Sequence, residues 1–381
     1  MALVISIICI SPLLPALGLP AGLIYISIVG FAILLNAQKK RLKLSALVTI
    51  LIIYAICLLP AIYWSSLQKA VEPAYLLISL ILALVLSKND FRTSVKYLSK
   101  FHEILLVGAI ISFVYVLLGG GSVFEIYNAD GRENYFLPFS LTNSLWSGFS
   151  RPSGIYDEPG AFSFFICAVV TLRHLLDFDE KKSLNMLLLG LVTLSLAHII
   201  FLFAFLFSIS KRFSKLLLVL TFSVAAGAII FLSGNWATFY AVFLIRFKID
   251  PDGTLHGDNR SGAFFKAMEI LREYPEKVIW GISDHYRNNP TLFSEQFADG
   301  AEIGGNPLNQ LLQLGMGSMP YFIILFSLFF LSLRNGRRNI VLLAFCLLLL
   351  QRDYVYVISY SLVTCLILVA AYRRKEFDKS A

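Results

Sequence analysis

The stretch that decides the fold is residues 184–208, LNMLLLGLVTLSLAHIIFLFAFLFS, an apolar run without a charged residue. Two lysines (181–182) precede it, and a basic group (211–215) follows it. At about 1.5 Å per residue, one continuous helix of this length would cross a bilayer and place the two basic groups on opposite faces. Positively charged loops favour the cytoplasmic face, so this arrangement is unfavourable. We therefore predict a hairpin of two short helices that turns near 195–198.

The composition indicates a polytopic membrane protein. Of 381 residues, 57% are hydrophobic and 15% are charged. The net charge of +8 could suggest a nucleic-acid partner, but the charges lie in short clusters between apolar runs. We expect membrane lipid as the surrounding partner and no nucleic acid.

Hydropathy predicts eleven apolar segments, at 3–18, 20–37, 45–64, 73–87, 103–119, 159–176, 184–208, 215–233, 307–333, 339–351 and 354–372. The loops 38–44 and 88–100 carry four Lys or Arg each, which places them, and the N-terminus, in the cytoplasm. With a single crossing at 184–208, ten later positive charges would face outward. The hairpin removes this conflict and gives twelve membrane segments with both termini cytoplasmic.

This all-α arrangement divides the chain into consecutive regions. They are the N-terminal helices (1–119), a first outer loop (120–158), central helices with the hairpin (159–233), a large outer loop (234–306), C-terminal helices (307–372) and a tail (373–381). Within the large loop, an amphipathic helix at 260–274 is predicted to turn Ala263, Phe264, Ala267, Met268 and Leu271 to one face. That helix either lies on the membrane surface, caps the bundle or packs within the loop.

The first candidate cluster is RPSGIYDEPGAFSFF, residues 151–165, where an apolar helix begins. Arg151, Asp157 and Glu158 lie together there, and Tyr156 is a candidate sugar-binding side chain. Acids at a helix N-terminus also have a structural explanation in the helix dipole, which we favour for Asp157. Desolvation at the membrane edge would make Glu158 a candidate general base.

The second candidate cluster lies in the large loop. Arg260 and Arg272 have planar guanidinium groups that suit phosphate oxygens, although twelve residues of helix do not place them on one face. A solvated loop charge is the more ordinary explanation of Arg272. Asp258 and Asn259 are candidate sugar-binding residues beside Arg260.

Two further positions are candidates on weaker grounds. Asn306 precedes the membrane segment at 307 and can both donate and accept hydrogen bonds. His198 is an ionisable residue inside an apolar segment, which is by default a candidate functional residue. The five cysteines lie in apolar segments without a C-x-x-C spacing, so we expect no metal and no disulfide.

Five motifs in order resemble those of the bacterial O-antigen polymerases, in the O-antigen polymerase and ligase superfamily. They are R-P-S-G-I-Y-D-E-P (151–159), Thr193 and Ser195 in the hairpin, N-R-S-G-A-F-F-K-A (259–267), P-x-x-V-I-W-G (275–281) and G-N-P-L-N-Q-L-L-Q-L-G-M-G (305–317). The resemblance covers roughly 150–320, and the rest of the chain only by topology.

The resemblance implies a GT-C-like glycosyltransferase of the bacterial inner membrane that needs no metal or other cofactor. Its substrates would be oligosaccharides linked to undecaprenyl pyrophosphate, its site would face the periplasm, and its partner would be a co-polymerase that regulates chain length. Arg151 and Arg260 would hold the donor pyrophosphate. The role of Glu158 as base is our own inference.

Two departures from the family pattern bear on the alternatives. Many members carry an arginine after the hairpin serine, where this chain has Leu196, so His198 is a possible substitute. Ligases typically carry His-Asn where this chain has Gly305-Asn306, which favours a polymerase. The alternatives are an O-antigen ligase, a capsule or exopolysaccharide polymerase, and a transporter or flippase of lipid-linked sugars.

Overall fold

The computed structural model describes residues 44–127, 133–146, 148–209, 234, 236–249, 261–297, 305–334, 339–351 and 356–374. Four helices in these parts are long and apolar enough to cross a membrane. They are α1 (Leu44–Trp64), α2 (Leu67–Val85), α3 (Lys88–Leu117) and the helix Asn309–Leu333, which consists of α12 (Asn309–Leu314), a 3₁₀ turn (Gly315–Ser318) and α13 (Met319–Leu333). The chain is thus a mostly helical membrane protein.

Shorter apolar helices complete the described part of the bundle. They are α4 (Pro159–Leu175), α6 (Leu196–Ile209), α14 (Ile340–Gln351) and α15 (Ile358–Tyr372), and α5 (Glu180–Gly190) precedes α6. Nearly every residue of α4 is buried, which makes it the central helix. An apolar helix without an exposed face fits the interior of a helix bundle.

The hairpin consists of α5 and α6, which pack against each other. A 3₁₀ turn (Leu191–Thr193) ends the first arm, and Leu194 then adopts a left-handed conformation with φ of 47°. The break lies just before the predicted turn at 195–198. With 11 and 14 residues, the arms are about 17 and 21 Å long, shorter than a ~30 Å hydrocarbon core.

Contacts between helices show which of their ends lie together. The rings of Phe164 in α4 and Tyr360 in α15 are 4.9 Å apart, so both helices begin at the same end. Arg373, just after α15, donates to the carbonyl oxygen of Leu84 near the end of α2 at 2.7 Å. Leu194 packs in one cluster with Leu117, the last residue of α3. We call this shared end, with 65–66, 118–158 and 191–195, the loop end.

The opposite end, with 86–87, 176–179 and 373–374, we call the basic end. Arg374 donates to the side chain of Asn339, which in turn donates to the carbonyl oxygen of Leu331 beside Arg334. These arginines therefore lie at the end where α3 begins with Lys88. The basic group at 211–215, which the hairpin was predicted to bring to the same end, lies outside the described residues.

The expectation of an all-α chain is wrong for the first loop. Two small antiparallel sheets lie there: β1 (Phe124–Tyr127), β2 (Glu133–Leu137) and β3 (Ser140–Thr142) in one, β4 (Leu145–Trp146) and β5 (Phe149–Ser150) in the other. Aromatic residues in β1 and β2 suit a half-exposed pleated surface, and Phe124 stacks on Phe136. Strands of two to five residues are too short to show a recognisable alternation of apolar and polar residues in the sequence.

The large loop is helical in its described parts. It contains α7 (Trp236–Val242), α8 (Ser261–Glu273), α9 (Lys277–Trp280), α10 (Asp284–Arg287) and α11 (Pro290–Phe297). The buried face of α8 is Ala263, Ala267 and Ile270, whereas Met268, assigned to that face from sequence, is 49% exposed. Ala267 and Ile270 form a small core with Leu312 of α12, so α8 is a loop helix that packs against the start of a membrane segment.

Two glycines join the large loop to α13. Gly281 and Gly315 have φ of 66° and 57°, a region that side chains disfavour. A Cβ at Gly315 would lie 2.3 Å from the carbonyl oxygen of Ile279, and one at Gly281 would lie 2.6 Å from that of Gln313. The two backbones touch because neither residue has a side chain.

Replacement of Gly315 by alanine should therefore destabilise the protein. The left-handed backbone alone costs about 1–3 kcal/mol, and the backbone clash adds to it. Thermal unfolding in detergent would measure the loss. Gly262→Ala is the matched control, because a Cβ there meets nothing within 4 Å. Equal unfolding temperatures for Gly315→Ala and wild type would contradict this account of the contact.

Candidate functional site

Arg151 joins the first loop to the hairpin. Its Nε donates to the carbonyl oxygen of Thr193 at 3.1 Å, and its Nη2 donates to that of Leu194 at 3.3 Å. Its own backbone is held in the loop, because its N–H donates to Ser144 and its carbonyl oxygen accepts from Thr142 Oγ1. The side chain predicted to hold a pyrophosphate thus binds the turn of the hairpin.

The turn needs such a partner. A helix that ends leaves carbonyl oxygens without partners in the next turn, and a buried residue such as Thr193 has no bulk water to replace them. Leu194 in its left-handed conformation turns its carbonyl and that of Thr193 towards Arg151. Bonds from a guanidinium are charge-assisted and stronger than neutral ones. Arg151 therefore fixes the turn and brings a positive charge to it.

The large loop also reaches this turn. Phe149 in β5 and Phe239 and Phe243 at the start of the large loop form a buried aromatic cluster. Leu194 and Ile199 of the hairpin pack against that cluster. Three segments far apart in sequence thus meet around the turn. We call this place, with Arg151, Thr193 and Leu194 at its centre, the hairpin-turn site.

Glu158 and Asp157 lie where α4 begins. Glu158 is the N-cap residue of α4; its side chain makes no capping hydrogen bond, and its carbonyl oxygen accepts from the N–H groups of Ala161 and Phe162. Pro159 follows in the first turn, where a missing N–H costs nothing. Both acids are half-buried. They lie near the positive end of the α4 dipole, as expected for Asp157, and Glu158 remains a candidate base.

Tyr156 is placed differently from its predicted role. It is fully buried, its ring stacks on Phe165 at 4.7 Å, and its hydroxyl lies 2.8 Å from His102 Nε2. A side chain enclosed in this way has no face for a sugar. Tyr156 is therefore a core residue that anchors the first loop to α3.

His198 is also enclosed rather than open to a substrate. Its Nε2 lies 2.8 Å from the carbonyl oxygen of Leu187 in the other arm, and its Nδ1 lies 3.2 Å from Ser163 Oγ in α4. A Cβ at Gly190 would lie 2.5 Å from the ring. Both ring nitrogens are engaged, so His198 joins the two arms to α4. In this arrangement neither ring nitrogen of His198 is open to a substrate, contrary to the role considered from sequence.

Of the remaining predicted residues, two lie on other elements of the large loop and its end, and the others lie outside the described residues. Asn306 is 1% exposed and accepts from the N–H of Leu308 at 2.9 Å, which forms a turn before α12. Arg272 is exposed in the last turn of α8. Arg260, Asp258 and Asn259 lie outside the described residues.

One polar group was missed by sequence analysis. Helix α2 begins at Leu67 rather than at 73, so Lys69 and Glu72 lie inside a candidate membrane span. Lys69 is 1% exposed and donates to the carbonyl oxygen of Gln313 in the last turn of α12, a favourable place for a cation. Ser66, whose side chain caps Lys69 N–H, was the sequence signal for the earlier start.

No group of three His, Cys, Asp or Glu side chains that could hold a metal ion lies within the described ranges. No family model, curated protein or solved structure matches the chain.

Removal of the His198 ring should loosen the hairpin. In His198→Ala, the carbonyl oxygen of Leu187 and the hydroxyl of Ser163 lose their partners in a buried place, at about 1–3 kcal/mol each. Thermal unfolding in detergent would measure the loss. His285→Ala, an exposed histidine in the large loop, is the control. If both variants unfold at the wild-type temperature, His198 does not hold the arms together.

Proposed function

We propose that this protein is an O-antigen polymerase. It would transfer a growing polysaccharide from undecaprenyl pyrophosphate to the terminal sugar of a lipid-linked repeat unit, on the periplasmic face of the bacterial inner membrane. The attacking group is a sugar hydroxyl, and a new glycosidic bond forms as the bond between the anomeric carbon and the pyrophosphate oxygen breaks. Lipid pyrophosphate leaves, and the hydroxyl proton passes to a base, for which Glu158 is the candidate.

The observation that carries the proposal is the position of Arg151. A guanidinium binds the backbone at a helix break within a membrane bundle, six and seven residues before two acids in sequence. The turn that it binds also packs against a cluster that contains the start of the large loop. A departing pyrophosphate gains negative charge, and a fixed cation in a low-dielectric site stabilises that charge more than water does. The arrangement therefore suits a substrate whose leaving group is an anion at the membrane surface.

The distribution of charge supports the orientation. The basic end carries Lys88, Arg334, Arg373 and Arg374, and the positive-inside rule assigns such an end to the cytoplasm. The loop end, with Arg151 and the large loop, would then face the periplasm. Since ATP is absent from that compartment, a substrate activated beforehand as a sugar pyrophosphate fits this face.

The alternatives differ from a polymerase in the acceptor or in the need for bond formation. A ligase or a capsule polymerase would use the same type of donor and the same arginine, and would differ in the acceptor. A transporter or flippase would need a pathway through the bundle rather than bond formation at one end. The glycine at 305 in place of a histidine is the sequence feature that favours a polymerase over a ligase.

Loss of either proposed pyrophosphate arginine should abolish long-chain polysaccharide. In a polymerase-deficient host, we expect Arg151→Ala and Arg260→Ala to lower the rate about 10²- to 10³-fold and to leave single-repeat product. Gel analysis of the lipopolysaccharide would show this, with expression checked by immunoblot. Arg272→Ala, an exposed residue on α8, should retain more activity. Wild-type ladders from both of the first two variants would contradict their roles.

The proposed orientation has an independent test. A reporter fused after Arg212, beyond the second arm of the hairpin, should give a cytoplasmic signal. A reporter fused after Gly148 in the first loop should give a periplasmic one. A periplasmic signal after Arg212 would mean that residues 184–208 cross the membrane once.

A further inference from the structure

A second polar cluster lies at the loop end, where α2 meets the large loop. Arg287 Nη2 in α10 pairs with Glu72 Oε1 in α2 at 2.5 Å. Lys69 interacts electrostatically with both, and also with Asp284 and Lys277. We call these five residues the α2 cluster. Charged side chains at the end of a membrane helix, held away from water, are costly unless they have a function or complete partners.

Two buried atoms of the α2 cluster lack partners among the described residues. The Arg287 side chain is only 9% exposed, and its Nη1 has no hydrogen-bond partner. Asp284 Oδ1 is buried and also has none. The two residues occupy the first and last positions of the same short helix. A buried donor and a buried acceptor left unpaired on one short helix call for a ligand or ordered water.

The polarity of these atoms indicates the chemistry of that ligand. A bare phosphate would satisfy Arg287 and Lys69 but would meet the carboxylates of Glu72 and Asp284. Hydroxyl groups can do both: they can donate to Asp284 Oδ1 and accept from Arg287 Nη1. The cluster therefore suits a ligand with several hydroxyl groups better than it suits an anion.

An aromatic surface adjoins the cluster. Tyr63 is 57% exposed and its ring stacks on Trp280 at 4.5 Å between centroids. Trp64 Nε1 donates to the carbonyl oxygen of Trp280 at 2.8 Å, and Lys277 Nζ lies 5.8 Å from the Trp64 ring. An aromatic face beside hydrogen-bonding groups presents both an apolar and a polar surface, as a sugar ring does.

We propose that the α2 cluster and the Tyr63–Trp280 surface bind a sugar ring of the acceptor oligosaccharide. This inference rests on the proposed function and adds the place where the acceptor is held. Gln68, which is exposed, donates to Glu72 Oε1 at 3.1 Å. Because the bond between Gln68 and Glu72 lies at the surface, breaking it costs little free energy. Its opening would give a ligand access to the Glu72 carboxylate and the Arg287 guanidinium.

The test is a binding titration with the full-length protein in nanodiscs. The probe is the repeat-unit oligosaccharide released by mild acid from the lipid-linked substrate, followed by saturation-transfer NMR. Asp284→Asn, which keeps the shape but loses the charge, should weaken binding about tenfold. Glu273→Gln makes the same change at an exposed position in the same loop and should bind as wild type.

A second variant keeps the test decisive if Asp284→Asn does not fold. Tyr63→Ala changes an exposed residue and should also weaken binding about tenfold. Three results would overturn the proposal. The first is wild-type binding by a folded Asp284→Asn variant, and the second is displacement of the oligosaccharide by inorganic pyrophosphate through Arg287. The third is the absence of oligosaccharide binding to wild type at millimolar concentration, which would leave only ordered water in the cluster. If the oligosaccharide binds as expected but wild type makes no polymer from lipid-linked repeat units, the proposed polymerase function fails and the sugar site stands.

Discussion

The hydrogen bonds from Arg151 to the carbonyl oxygens of Thr193 and Leu194 are the interaction on which the central architecture depends. A helical hairpin inside a membrane bundle is possible only if the backbone groups at its turn find partners within the protein. Arg151 supplies them from a loop 42 residues away in sequence. The same bonds place a cation where the two arms of the hairpin, the central helix α4 and the large loop meet. Arg151 therefore both stabilises the turn and supplies the charge that the proposed reaction needs.

Much of the fold follows from hydropathy and charge. The apolar run at 184–208 and its basic flanks predicted a broken helix, and the structure has two helices with a break at 191–195. The strands of the first loop could not be predicted, because stretches of two to five residues gain their stability from pairing rather than from local pattern. The start of α2 was misplaced because Lys69 and Glu72 look like loop residues until their partners Gln313 and Arg287, more than 200 positions away, are known.

The candidate site was predictable in part. Arg151 was singled out from its position before an apolar helix, and its bonds to the hairpin turn were not predicted. Tyr156 and His198 were plausible contacts by residue type, but both are enclosed by side chains from other helices, which periodicity alone does not reveal. Burial of a polar side chain depends on what covers it, and that cover comes from residues distant in sequence. Sequence patterns therefore picked out polar residues of interest without showing which of them are enclosed by other helices.

The contacts at the basic end also constrain how the protein is made. Helix α2 leaves the carbonyl oxygens of Leu84 and Leu86 to be bound by Arg373, which follows the last described membrane helix. During synthesis, α2 emerges from the ribosome nearly 290 residues before that partner. The carbonyl oxygens at this end of α2 lack that partner until α15 has been made and packs against α2 and α4. A stop codon before α15 would therefore leave this end of α2, made almost 290 residues earlier, without its hydrogen-bond partner.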